Sequence, residues 1–288
     1  MLAKASRAIY AASMRTFVVL LAITLLSGCS STVLAEPDIH VSPYLAVYQL
    51  RGKSKMQSFV DPATQGAVKD NAYQQMRTFG QDSYREDVGI RADIGDGFGG
   101  IRADYYKLDM KTSGSGDLTS DWGNLLAADQ VSLYATMDEL RAGYIEPILD
   151  YRTEYRDEDL RFQFGAGGMF TYRKMKFRAR DESGTRTQNV EIEGDTVGAA
   201  ARGRISWQAF TLDIDYLFAP SDFVLSGDIK GVSQDLETRL SYRLPQRDIQ
   251  LFAGLRYSEF SGRGKSGSFE YESDLIIDGM QFGFSVTF

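Results

Sequence analysis

The last nine residues read "MQFGFSVTF" (Met280–Phe288). Met280, Phe282, Phe284, Val286 and Phe288 alternate with Gln281, Gly283, Ser285 and Thr287. Successive side chains of an extended chain point to opposite faces, so the spacing predicts a strand with one apolar and one polar face. The same question arises in "GIRADIGDGFGGIRAD" (Gly89–Asp104), where one pentapeptide occurs twice around a Gly-rich turn. Ile90, Ala92, Ile101 and Ala103 alternate there with Arg91, Asp93, Arg102 and Asp104. A soluble sandwich would turn the apolar side inward. The reading made here is the reverse: apolar side chains face hydrocarbon and charged ones are enclosed. A closed barrel is the β structure that can do this, because it leaves no unpaired backbone group facing lipid.

The terminal segment resembles the C-terminal signature of Gram-negative outer-membrane β-barrels, with Phe282, Phe284, Val286 and Phe288 as the assembly signal. The resemblance covers those residues, the export leader and the strand pattern upstream. It implies recognition by the barrel-assembly machinery and residence in the outer membrane with both termini in the periplasm. It names an architecture, not a family.

The leader is Lys4, Arg7 and Arg15 followed by "TFVVLLAITLL" (16–26), too short to span a bilayer but suited to a secretory signal. Met14-Arg15 is an alternative start. Two cleavage sites stay open. "LSGC" resembles a lipobox and would make an acylated Cys29 the mature N-terminus, leaving 1–28 as signal; "VLA" would end a signal peptide at residue 35. The barrel domain is 36–288 in the second case. With 32 basic residues less those three, the mature chain carries 29 against 39 acidic, which argues against a general nucleic-acid partner. A lone cysteine excludes an intramolecular disulfide and a multi-thiolate zinc site.

Read by the period-2 rule, the chain is an all-β, transmembrane, antiparallel up-and-down barrel of ten strands, with eight or twelve as alternatives. The strands fall at 39–50, 84–95, 98–111, within 137–155, 160–178, 195–207, 210–218, 235–244, 249–257 and 273–288. "QVSLYATM" (130–137) would extend the fourth above the membrane, and Pro147 breaks that strand's parity. Connections at 51–82, 112–136, 179–194, 219–234 and 258–272 are long; those near 96–97, 156–159, 208–209 and 245–248 are tight. Long loops outside and short turns in the periplasm are the expected asymmetry. Trp207, Tyr155 and Tyr242 mark a periplasmic aromatic girdle. Within the first long connection "AVKDNAYQQM" (67–76) suggests a short helix, and in the second "DWGNLL" (121–126) is read as exposing Trp122 beside two leucines.

Parity puts Asp87, Arg91, Asp93, Arg102, Asp104, Arg141, Arg161, Arg202, Arg204, Asp213, Asp215, Glu237, Arg239, Arg243 and Arg256 in the lumen as an ion network. A turn at Asp96-Gly97 sets Arg91 opposite Arg102; a turn at Gly97-Phe98 sets both oppositely charged pairs face to face. Gly165 and Gly167 leave room beside them. Such an interior is plugged or very narrow, since small barrels fill with their own side chains. A structural plug, a gated small-solute pore and a catalytic site are the three readings, in that order. At the opposite rim, Arg51, Lys53, Lys55, Lys107, Lys111, Lys174, Lys176, Arg178, Lys230, Arg263 and Lys265 gather at strand ends, where they would meet lipopolysaccharide phosphates or simply solvate the loops.

Enzymes on this architecture (omptin proteases, outer-membrane phospholipases, lipid A deacylases and acyltransferases) resemble one another in a histidine near the outer rim. The one histidine here, His40, opens the first strand at the periplasmic end. The Asp213/Asp215 pair shares its face with many arginines, which weakens it as a base. The expectation is therefore a monomeric, non-enzymatic barrel with no catalytic residue, cofactor or metal. Its partners would be membrane lipid, lipopolysaccharide and a ligand at the outer loops.

Overall fold

The computed structural model describes residues 37–81, 83–110, 114–220 and 224–288. The leader with Cys29 and both cleavage sites, and Lys111, lie outside the described residues.

Ten long strands form the barrel: β1 (Asp38–Met56), β2 (Arg85–Gly95), β3 (Gly100–Met110), β4 (Gln130–Tyr155), β5 (Glu158–Asp181), β6 (Thr187–Trp207), β7 (Phe210–Ala219), β8 (Ser233–Arg243), β9 (Ile249–Ser266) and β10 (Phe269–Thr287). Each pairs antiparallel with its sequence neighbours, and β10 closes on β1 with Leu45 beside Phe282. The alternating tail therefore becomes the seam. Following paired residues once round the wall from Asp38 through Gly95, Gly100, Ile145, Gly167, Ala200, Leu217, Asp235, Ser258 and Ile277 returns to Leu50, twelve residues further along β1. Such a stagger for ten strands means a tilt of about 40° and a bore that side chains can fill.

The end carrying the termini and short turns is called near, the other far. Around the near half the outward side chains are apolar: Ile90, Leu140, Phe164, Ile214, Leu240, Leu255, Met280 and Phe282 are all exposed. Near the rim sit Tyr155 against Trp207, ring centroids 6.2 Å apart, and Phe210 against Tyr242 at 5.0 Å. Inward positions in this half are mostly charged or polar, with Ile145, Met169, Leu217 and Phe252 as buried apolar exceptions. In the far half the polarity inverts while strand parity is kept. On β10 the outward residues run Glu270, Glu272, Asp274, Ile276 and Asp278, then Met280, Phe282 and Phe284; the inward ones run Phe269, Tyr271, Ser273, Leu275 and Ile277, then Gln281, Gly283 and Ser285. β1 does the same, with Gln49 beside Asp278 at the changeover. The far half is thus built like a water-soluble protein, with an apolar core of Leu50, Tyr106, Leu108, Met137, Phe177, Ile192, Phe260 and their neighbours.

This inversion corrects the loop assignments at 179–194 and 258–272. Both are strand hairpins, turning at 182–186 and at 267–268. β4 does begin at Gln130, as the extension of "QVSLYATM" implies, and it bulges between Pro147 and Leu149. β4–β6 and β9–β10–β1 rise above the shorter β2–β3 and β7–β8 and lean together. The Tyr271 hydroxyl donates to the Glu191 carbonyl at 2.7 Å, and Gly262 lies against Ile192. Segments 57–81 and 114–129 cover the lower side between these walls. The expected helix over 67–76 is absent: short pairings at Val68–Lys69 and Gln74–Gln75 lead into a single 3-10 turn, Met76–Phe79. Trp122 and Leu125 are buried rather than exposed. Trp122 stacks edge-on against Phe79 at 5.2 Å, and its Nε1 donates to the Ser54 hydroxyl at 3.3 Å. A loop tryptophan had a core within reach that one-dimensional reading does not show.

Candidate functional site

The interior of the near half is the most unusual chemistry in the molecule. The Gly95–Gly100 pairing closes the β2–β3 hairpin around Gly97-Phe98, so Arg91 faces Asp104 and Asp93 faces Arg102 directly. From there the network spreads across the bore. Arg91 donates to both oxygens of Glu237 on β8, at 2.6 and 2.7 Å, and to Asp104 at 3.1 Å. Asp104 also accepts from Arg141 and, at 2.8 Å, from the Tyr44 hydroxyl. Arg141 reaches Asp235 at 3.0 Å; Arg256 bridges Asp235 at 2.6 Å and Glu139 at 2.5 Å; Arg173 closes on Glu139 at 2.5 Å. Towards the near end, Arg102 bonds Asp93 at 2.6 Å and Asp215 at 2.8 Å, Arg202 bonds Asp215 at 2.6 Å, and Arg204 bonds Asp213 at 2.6 Å. Among the described residues this is eight guanidiniums interleaved with seven carboxylates, Arg239 being the eighth, 3.4 Å from Asp213. Arginine suits the task because its planar fork can satisfy two carboxylates at once and cannot discharge by losing a proton.

Sequence parity missed Glu139, Arg173 and Asp235, although each stands an even number of residues along its strand from one it did place, Arg141, Arg161 and Glu237 respectively. Arg141, Glu237 and the inward Gly165 of β5 were the available signal. Three other candidates belong elsewhere. Asp87 is inward but only half-buried, and its carboxylate accepts the Asp109 backbone N–H at 3.0 Å where β2 and β3 splay. Arg161 pairs with Asp150 at 2.5 Å on the near rim, and Arg243 is exposed there. Both sit where strands leave the enclosed bore, and water can solvate them. Gly167 does not provide lumen space: a Cβ there would stand 1.8 Å from the Tyr144 carbonyl oxygen, so it marks close strand approach.

Beneath the network lies a cup of about 260 Å³ open at the near end, lined by Arg102, Arg202, Arg204, Arg239, Arg243, His40, Asp38, Asp93 and neighbouring serines and glutamines. The β2–β3 turn forms part of its wall. Phe98 is buried, its carbonyl accepts from Arg202 at 2.6 Å, and the Gly97 carbonyl accepts from Arg204 at 2.5 Å. His40 Nδ1 pairs with the Thr287 hydroxyl at 2.9 Å, at this end and not among the far-end loops. Above the network the apolar core and the Phe79–Trp122 lid continue the filling.

The basic residues assigned to the outer rim lie mainly on the outward face of the far-half strands and not in loops. Arg51 pairs with Asp278 at 2.7 Å, Lys53 with Asp274 at 3.4 Å, Lys55 with Glu272 at 3.0 Å, and Lys174 with Glu191 and Glu193 at 2.7 and 2.6 Å. Arg263 and Lys265 extend the belt through Glu272 and Glu270. Donating to both glutamate carboxylates holds the Lys174 ammonium above its usual range. Lys107, Lys176, Arg178 and Lys230 are exposed on the same half.

No protein-family model matches the chain, and no curated protein matches it in sequence. Among solved structures it is similar to the outer membrane protease OmpT from Escherichia coli, at 12% identity and a TM-score of 0.52, over 90% of this chain and 99% of that one. It also matches a Pseudomonas aeruginosa FadL homologue (8% identity, TM-score 0.33, 88% and 90% covered). A third match is Ail, the attachment invasion locus protein of Yersinia pestis (8%, 0.25, 84% and 98%). At 12% identity the likeness to the first is one of fold. The inverted interior, the closed ring of ten antiparallel strands and this likeness agree: the chain has the fold of an outer-membrane β-barrel.

Proposed function

We propose that this protein is a non-conducting, non-enzymatic resident of the outer membrane, its near end periplasmic, whose far half stands above the bilayer as a rigid module engaging the lipopolysaccharide layer. The observation that carries this reading is the change of polarity along one continuous set of strands. Where the outward face turns from Met280 and Phe282 to Asp278, Arg51 and Lys53, the inward face turns from ions to apolar core. Side chains fill the bore on both sides of that level, which favours the closed barrel over the small-solute pore. Paired but exposed cations at the level of a lipid headgroup leave the guanidinium and ammonium groups free to exchange a carboxylate for a phosphate.

Bilayer recordings with the purified protein are expected to show no stable openings. Co-purified lipopolysaccharide should fall when Lys107, Lys176 and Arg178 are changed together to glutamine, and the loss should deepen with salt. Stable ohmic openings, or lipopolysaccharide retention indifferent to those three residues, would contradict the reading. Turnover of a lipid or peptide substrate lost on changing Asp213 or Asp215 would overturn its non-enzymatic part.

A further inference from the structure

The cup at the near end is lined by six arginines, Arg102, Arg161, Arg202, Arg204, Arg239 and Arg243, against three carboxylates, Asp38, Asp93 and Asp96. Arg102, Arg202 and Arg239 line it and are 6%, 3% and 8% exposed, so each guanidinium is removed from bulk water. Nη2 of Arg102, Nη2 of Arg202, Nε of Arg239 and Nε2 of His40 have no hydrogen-bond partner among the described residues, but all four are closed off from the cup, and Nη2 of Arg202 lies 3.8 Å from Asp93. Charge is also unevenly met. Arg102, Arg202 and Arg204 each hold a carboxylate at 2.6 Å, whereas among the described residues Arg239 reaches only Asp213, already engaged by Arg204, and at 3.4 Å. Arg243, four residues further along the same face of β8, points into the same cup.

We propose that this cup is a binding site for a phosphate-class oxyanion entering from the near end, held by Arg239 and Arg243 in the positive field of the other arginines that line it. The chemistry selects the class. Forked guanidiniums match tetrahedral oxygens, and several converging N–H groups around a partly enclosed space favour a compact multi-oxygen anion over chloride. The volume of about 260 Å³ admits phosphate or a small phosphate monoester with some water. Ser241, Ser285 and Gln250 supply the neutral donors and acceptors that such a site needs at its mouth. The site is independent of what the far half contacts.

The test uses the purified full-length mature protein, detergent-solubilised in phosphate-free buffer at constant ionic strength. It is titrated by calorimetry with inorganic phosphate and, in a second arm, with glycerol 3-phosphate. Saturable one-to-one binding is expected, weakened about tenfold in Arg243→Ala and in Arg239→Gln and unchanged in Arg247→Ala, which alters an exposed turn cation outside the cup. Arg243 is exposed and its removal strands no buried carboxylate, so folding of that variant is secure; heat-modifiability on gels verifies it for the others. Equal affinity for both probes identifies free phosphate as the source, and tighter binding of the ester identifies a phosphorylated headgroup or sugar. Absence of saturable heat up to about 50 mM phosphate, or binding indifferent to both Arg239 and Arg243, would overturn the proposal.

Discussion

Arg91 on β2 and Glu237 on β8 meet across the bore in a bidentate pair, 2.6 and 2.7 Å, although 146 residues separate them. Neither strand touches the other in the wall, so the pair ties opposite sides of the barrel through its centre. A buried pair of this kind is weak evidence of net stabilisation, because desolvation offsets most of its attraction. Its removal by halves is another matter.

Arg91→Leu leaves Glu237 enclosed without its main partner, at a cost of about 3–5 kcal/mol. Arg91→Leu combined with Glu237→Leu should recover most of that loss. Urea unfolding in detergent, followed by gel mobility, reads both, and equal instability of the single and double variants would show that the pair is not what matters.

The lid should come loose without opening the barrel. Trp122→Ala removes the ring packed on Phe79 and is expected to cost about 3–5 kcal/mol locally. Protease cleavage within 57–81 and 114–129 should rise sharply while bilayer conductance stays at background, because the ion network beneath is untouched.

Gly52 and Gly203 make a matched pair of backbone probes. At Gly52 φ is +116°, and a Cβ would lie 2.1 Å from the Asp274 carbonyl oxygen; at Gly203 nothing stands within 4 Å. Gly52→Ala should disrupt the β1–β10 seam by at least about 1–3 kcal/mol, and Gly203→Ala should remain within about 0.5 kcal/mol of the parent. Heat-modifiability midpoints distinguish them.

Acid should release the second long connection. Burial pushes the Asp121 carboxyl up, but Lys69 at 2.8 Å, the Ala127 backbone N–H and the Ser58 hydroxyl together hold it below the usual carboxylate value. A depressed folded-state pKa means that its contribution is complete above the ordinary value near 4 and is lost as pH falls below it. Protection factors at 121–127, taken against the intrinsic exchange rate at each pH, should therefore fall between pH 4 and pH 2 in the parent and be already low, with a flatter profile, in Asp121→Asn.

The strand alternation of "MQFGFSVTF" and the paired "GIRAD" segments was legible because lipid and a filled bore impose opposite demands on successive side chains. Arg91, Arg102, Asp104, Arg141 and Arg256 could be placed inward by parity alone. The far half was misread where the alternation keeps its period but exchanges its phase: apolar at 269, 271, 275 and 277, then at 280, 282 and 284. That exchange looks like the end of a strand when one polarity rule is applied throughout. In the structure it is the level at which the strand leaves hydrocarbon for water.

By itself, then, the sequence determined the strands of the membrane band, the class of barrel and the sign of its interior, since these follow from local period and solvent. Tertiary structure alone decided that Arg91 would meet Glu237, that Trp122 would be enclosed, and that Arg239 would be left short of a carboxylate. Those relations depend on a stagger of twelve residues around a closed wall, and no stretch of chain carries that quantity before the ring is shut.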